Sequence, residues 1–165
     1  MTAEDVVAIY DRCEKAGIRV WIDGGWAVDA LLGRETRPHA DLDIAIEQKD
    51  VPRLRRLLAD YHDVPRDDTK LWNFVLGDDH DRRVDIHAIV FDATGIGILG
   101  PPENGNAYPA GSLDGSGVIA GRTVRCIAPE FLVQFHTGYP IRDSDRHDVG
   151  LLCERFGLPL PEGYR

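Results

Sequence analysis

Three acidic side chains in two short apolar stretches are the residues of this chain best suited to chemistry. In His39-Ala40-Asp41-Leu42-Asp43-Ile44-Ala45-Ile46, read as an extended strand, Asp41 and Asp43 project from one face while Leu42, Ile44 and Ile46 face the core. In Arg83-Val84-Asp85-Ile86-His87-Ala88-Ile89-Val90 the same alternation groups Asp85 with His87 and Ile89, and sets Val84, Ile86, Ala88 and Val90 on the opposite face. Neighbouring carboxylates repel unless a cation lies between them, and their hard oxygens suit Mg²⁺, which also takes phosphate oxygens as ligands. If the two strands lie side by side on one core, Asp85 joins Asp41 and Asp43 in a three-carboxylate cluster.

A second stretch, Asp23-Gly24-Gly25-Trp26-Ala27-Val28-Asp29, precedes the first acidic strand. Arg19 to Ile22 reads as a strand, Gly24-Gly25 as a tight turn, and Trp26 to Leu32 as the helix leaving it. Backbone N–H groups at such a turn, reinforced by the positive end of the helix, make a cradle for phosphate, because glycine lets the chain approach closely. Arg37 and His39 approach the acidic strand from the same side, either as triphosphate ligands or as ordinary loop residues. His87 shares a face with Asp85, as a functional group or as a buried, hydrogen-bonded one. His136 and Tyr139 are aromatic side chains at helical spacing, which more often pack in a core than line a pocket, and Trp26 is expected to pack in the core rather than stack on a base. His147 and Asp148 are adjacent on a helix and point apart, which excludes a dyad.

The elements that must carry these residues alternate along the chain. Thr2 caps a helix to about Lys15, with Val6, Val7, Ile9, Tyr10 and Cys13 as its buried stripe and Gly17 ending it. Asp50 before Val51-Pro52 opens a helix through Leu54, Leu57, Leu58 and Tyr61. Pro65 to Lys70 is polar and turn-like. Trp72, Phe74 and Leu76 mark a strand that turns at residues 77–81 into the Asp85 strand as a hairpin. Residues 92–117 hold many of the glycines and prolines and read as an irregular loop or flap with short strands. A hairpin follows around Gly121-Arg122, then a helix from Pro129 and a last helix from about Asp143.

The formal net charge of −9 and the sequence pI near 5.0 argue against a nucleic-acid surface, which usually needs a basic patch. A small-molecule ligand fits better. Cys13, Cys126 and Cys153 are widely spaced and form no Cys-x-x-Cys pair, so a disulfide framework and a zinc knuckle are not indicated, and reduced cytoplasm is the expected location. The acidic N-terminus and the lack of a long apolar run point away from a secretory leader or membrane span.

At Gly24-Gly25, Asp41-x-Asp43 and a later strand carrying Asp85, the sequence resembles the DNA polymerase β-like nucleotidyltransferase superfamily. More narrowly, residues 21–29, Arg37-Pro38-His39-Ala40-Asp41-Leu42-Asp43 and Val84-Asp85-Ile86-His87 resemble the small lincosamide nucleotidyltransferases, and the first two stretches also resemble the aminoglycoside 2″-nucleotidyltransferases. The likeness continues through Glu103 to Tyr108, Arg125-Cys126-Ile127 and residues 135–139, and ends near Asp148.

The resemblance implies an α+β fold of the polymerase β-like type, a mixed sheet flanked by helices with a short helical C-terminal part. On this pattern residues 1–128 form the nucleotidyltransferase core, and 129–165 a helical segment packed on it as one compact domain. It implies two Mg²⁺ ions and ATP or another nucleoside triphosphate as co-substrate. Asp41 and Asp43 would be metal ligands, and Asp85 the third acid and general base. Gly24, Gly25, Arg37 and His39 are the candidate nucleotide-binding residues. The implied activity is transfer of AMP to a hydroxyl of a small antibiotic, a lincosamide in the leading reading and an aminoglycoside in the second. A nucleotide-binding antitoxin-like module acting on a protein partner is the alternative of another class. A homodimer would be one way to complete an acceptor pocket in so short a chain. The segment Leu71-Trp72-Asn73-Phe74 departs from the family pattern, lacking the arginine expected before the third acid, with Lys70 nearby.

Overall fold

The computed structural model describes residues 1–165. The first helix, α1 (Ala3–Lys15), starts at Thr2. The Thr2 hydroxyl accepts from the Asp5 N–H while the Asp5 carboxylate accepts from the Thr2 N–H, so the first turn's free donors are satisfied from both sides. Val6, Ile9, Tyr10 and Cys13 are buried and Val7 is half-buried, as a helical stripe requires. Gly17 then takes a positive φ of 69° and turns the chain into β1 (Val20–Asp23).

At the end of β1 the structure corrects the expected turn. Gly24 and Gly25 are the first two residues of α2 (Gly24–Leu32), and Asp23 is its N-cap, its Oδ1 accepting from the Gly24 N–H at 2.7 Å. The strand therefore feeds the helix with no intervening loop. The physical reason is Gly24, whose φ of +57° makes the reversal inside one residue.

The acidic strand β2 (Asp41–Glu47) runs antiparallel to β1, followed by a 3₁₀ turn and α3 (Val51–Leu57). Asp50 precedes α3 but does not cap it, and pairs instead with Arg53. A short strand, β3 (His62–Val64), was not anticipated, since its three residues are half or fully exposed and carry no apolar alternation. β4 (Asn73–Gly77) and β5 (Arg83–Phe91) form the expected hairpin. The glycine-rich excursion contains β6 (Gly97–Leu99) and β7 (Ala107–Tyr108), and the hairpin β8 (Gly115–Ile119) and β9 (Arg122–Cys126) follows.

The main path of the sheet runs β3-β4-β5-β2-β1-β9-β8, with β6 on β5 and β7 on β6. Two pairings are parallel, β2 with β5 and β1 with β9, so the sheet is mixed. Helix α2 lies against β1, β2, β8 and β9, and is packed in turn by α4 (Pro129–Phe135) and α5 (Asp143–Phe156). Gly117 permits the contact with β8, since a Cβ there would meet the Ala30 carbonyl carbon at 2.3 Å. A single buried apolar cluster joins residues from α1, the sheet, α2, α3, α4 and α5, with Trp26, Ile22, Ile44 and Ile86 at its centre. No helix is long and apolar enough to cross a membrane.

Candidate active site

The register of three strands sets the acids in a row. Asp43 lies opposite Asp23 across the β1–β2 ladder and opposite Asp85 across the β2–β5 ladder. Side chains directly opposite on neighbouring strands share a face about 5 Å apart. Asp41 stands two residues earlier on the same face of β2, at the exposed end of the strand. The register thus sets Asp23, Asp43 and Asp85 in one row across three strands, with Asp41 on the same face of β2.

Crowding shows in the acid–base chemistry. Burial, reinforced by the charges of Asp41, Asp23 and Asp85, pushes the Asp43 carboxyl up to about 7. Asp23 moves the other way. Burial alone would raise it, but the nearby His87 ring and hydrogen bonds from Tyr108 and the Gly24 N–H outweigh that and leave it below the usual range.

Asp23, Tyr108 and His87 form a chain of hydrogen bonds. The Tyr108 hydroxyl donates to Asp23 Oδ2 at 2.7 Å and lies 2.6 Å from His87 Nδ1. A hydroxyl has one proton to give, so His87 Nδ1 donates to the tyrosine oxygen. Burial lowers the proton affinity of His87, but its Asp23 partner and the charges of Asp85 and Asp43 reverse this and raise it.

The cation that the sequence reading sought near residues 70–74 comes from elsewhere. Arg66 Nη1 donates to Asp85 Oδ2 at 2.5 Å and Nη2 donates to Asn73 Oδ1 at 3.0 Å. Lys70 makes only a backbone bridge to Asn73. The signal for Arg66 was weak, because Pro65-Arg66-Asp67-Asp68 has the composition of any exposed turn.

Arg37 and His39 sit against Gly25, where a Cβ would lie 2.6 Å from Arg37 Nη2 and 2.5 Å from His39 Nδ1. Both have intramolecular partners. Arg37 grips the buried Asp148 of α5 with Nε at 3.0 Å and Nη2 at 2.6 Å, and His39 Nε2 lies 2.5 Å from the buried Asp29 of α2. Gly24 is held even closer to the acids, since a Cβ there would lie 2.1 Å from Asp43 Oδ2. His136 bonds through Nδ1 to the Leu132 carbonyl, while Tyr139 packs beneath Arg142.

No three of the His, Cys, Asp and Glu side chains converge closely enough to enclose a metal ion by themselves. The acid row nevertheless fits a divalent cation that brings further ligands with it. Burial, with the charges of Asp41, Asp23 and Asp85, raises Asp43 to about 7, a cost that a cation beside it would relieve.

A family model for aminoglycoside-2''-adenylyltransferase matches residues 5–152. The chain belongs to that family. It is a nucleotidyltransferase of the antibiotic-modifying type. A lincosamide resistance protein of Staphylococcus haemolyticus is 27% identical over 155 residues, covering 90% of this chain and 92% of that one. A 2''-aminoglycoside nucleotidyltransferase of Escherichia coli is 47% identical, but over 36 residues, 22% of this chain and 20% of that one.

The lincomycin-bound crystal structure of the lincosamide adenylyltransferase LnuA matches with a TM-score of 0.79 and 26% identity, covering 92% of this chain and 96% of that chain. The crystal structure of ANT(2")-Ia in complex with adenylyl-2"-tobramycin shares the fold at a TM-score of 0.76 and 23% identity, over 94% and 89% of the two chains. The α+β architecture of the nucleotidyltransferases expected from the sequence is the one observed.

Proposed function

We propose that this enzyme transfers AMP from ATP, with Mg²⁺, to a hydroxyl of a lincosamide and releases pyrophosphate. The observation that carries the reading is the row Asp23–Asp43–Asp85, in which burial and the neighbouring acids raise the Asp43 carboxyl to about 7. Asp41 and Asp43, with Asp85 as third acid, would hold the metal. When bound, Mg²⁺ neutralises the triphosphate and stabilises the leaving oxygen.

The chain's own residues supply the rest. Gly24 and Gly25 bring the first turn of α2 against Asp43, and the helix's free N–H groups and positive end favour a phosphate there. Arg37 and His39 flank that turn on the nucleotide side. Asp85, fixed beside Asp43 by the β2–β5 register, takes the proton of the acceptor hydroxyl as it attacks the α-phosphorus.

Length of match supports the lincosamide acceptor, because the lincosamide relative aligns over 90% of this chain. The family model and the net charge of −9 support a second reading, an aminoglycoside acceptor, since an acidic protein attracts a polycation. The same charge disfavours nucleic acid as a partner. A homodimer would complete the acceptor pocket, and three buried free cysteines suit a reducing cytoplasm.

Incubating the protein with Mg²⁺, each of the four nucleoside triphosphates, and lincomycin, clindamycin or tobramycin, followed by mass spectrometry of the drugs, tests the reading. An AMP adduct on the lincosamides is expected. An adduct on tobramycin alone establishes the second reading. ATP binding with no adduct and a co-purifying protein partner favours the antitoxin-like module.

A further inference from the structure

Arg66 stands in the turn between β3 and β4, outside every segment that the sequence marks for chemistry. Its turn is closed from both ends, the Arg66 N–H donating to Thr69 Oγ1 at 3.0 Å and the Thr69 N–H donating to the Arg66 carbonyl at 3.1 Å. The guanidinium is held by two hydrogen bonds, Nη1 to Asp85 Oδ2 and Nη2 to Asn73 Oδ1, with the charge of Asp68 beside Nε at 3.1 Å. Asn73 is anchored in turn, since it faces His87 across the β4–β5 ladder. A planar fork bonded through both terminal nitrogens to two fixed acceptors has its orientation set.

The other Asp85 oxygen is the unusual one. Oδ1 is buried and accepts no hydrogen bond, and His87 Nε2 is 3.9 Å from it. A buried acceptor left open costs free energy that most folds avoid. The oxygen left open lies on the residue assigned as base.

We infer that Arg66 is the positioning residue for Asp85. By holding Oδ2, it turns the carboxylate so that Oδ1 is the atom that meets the acceptor hydroxyl. This rests on the reading of Asp85 as the base in nucleotidyl transfer. In the step, the acceptor O–H bond breaks and its proton goes to Asp85 Oδ1. The hydroxyl oxygen bonds to the α-phosphorus, and the bond from that phosphorus to the β-phosphate bridge breaks, its electron pair leaving with pyrophosphate. Acting through Asp85, Arg66 sets kcat rather than nucleotide binding.

The experiment compares wild type, Arg66→Ala, Arg66→Lys and Asn73→Ala for kcat, for the KM of nucleotide, and for rescue by millimolar guanidinium. Arg66→Ala is expected to lose about a hundredfold in kcat, as expected for a misplaced base, with nucleotide KM little changed, and to regain part of it with guanidinium. Arg66→Lys should fall between, and Asn73→Ala should lose less. If Arg66→Ala is too unstable to assay, Arg66→Lys and Asn73→Ala carry the test.

A full kcat in the Arg66 variants, or a loss seen only in nucleotide KM, overturns the inference and leaves the reaction standing. A wild-type protein that modifies no acceptor overturns the reaction and the inference with it.

Discussion

The Tyr108 hydroxyl, at the end of the glycine-rich excursion, donates to the carboxylate of Asp23, which caps α2, at 2.7 Å. The bond fastens a segment of weak secondary structure to the junction between β1 and α2, beside the acid row. Tyr108 is itself buried, edge-on to Phe135 of α4. Replacing it with Phe leaves Asp23 and His87 short of a partner in a buried site, at an expected cost of about 1–3 kcal/mol. Urea denaturation measures it, and nucleotidyl transfer should fall alongside.

Gly24→Ala attacks the approach of α2 to Asp43. The added carbon would stand 2.1 Å from Asp43 Oδ2, at a φ of +57° that an L side chain disfavours. Transfer should fall by more than tenfold. Gly33→Ala, also at positive φ but with nothing within 4 Å, is the matched control, expected to lose stability alone. Steady-state kinetics and thermal melting of the two variants separate the effects.

The raised proton affinities of Asp43 and His87 have a sign that can be measured. Between the ordinary Asp value of 3.8 and about 7, the folded chain binds more protons than the unfolded chain at Asp43, and His87 extends the same imbalance upward. Stability must then fall as pH rises through this window. Asp43→Asn should raise Tm at pH 8 and have less effect at pH 4, while abolishing transfer. Added Mg²⁺ should raise the wild-type Tm at pH 8 and do little for Asp43→Asn.

Arg37 and Asp148 tie the loop before β2 to α5. Asp148 is 1% exposed in its side chain, so Arg37→Met leaves a buried charge unpaired. The expected loss is about 3–5 kcal/mol, read by urea denaturation. A lower nucleotide affinity in the folded fraction, read by calorimetry, would show that Arg37 also faces the triphosphate.

The strands and helices that carry the acids were legible because burial imposes strict periodicity on them. Leu42, Ile44 and Ile46 announce which face of β2 points inward, and Val84 and Ile86 do the same for β5, so the facing of Asp43 and Asp85 follows from pattern alone. The role of Gly24-Gly25 as helix start was not legible, because a glycine pair marks a reversal without saying on which side of it the helix begins. β3 escaped notice for want of buried residues. Asp23, Tyr108 and Arg66 were missed as site residues because their partners are distant in sequence. A hydrogen bond across 85 residues leaves no local trace.

The most direct measurement is a time course of lincomycin modification and pyrophosphate release by wild type, Asp43→Asn and Asp85→Asn, with folding of each checked by circular dichroism. The account requires that wild type form the AMP adduct with one pyrophosphate per drug, and that both folded variants be slowed by about a thousandfold or more. Adduct formation at the wild-type rate by either variant would contradict it.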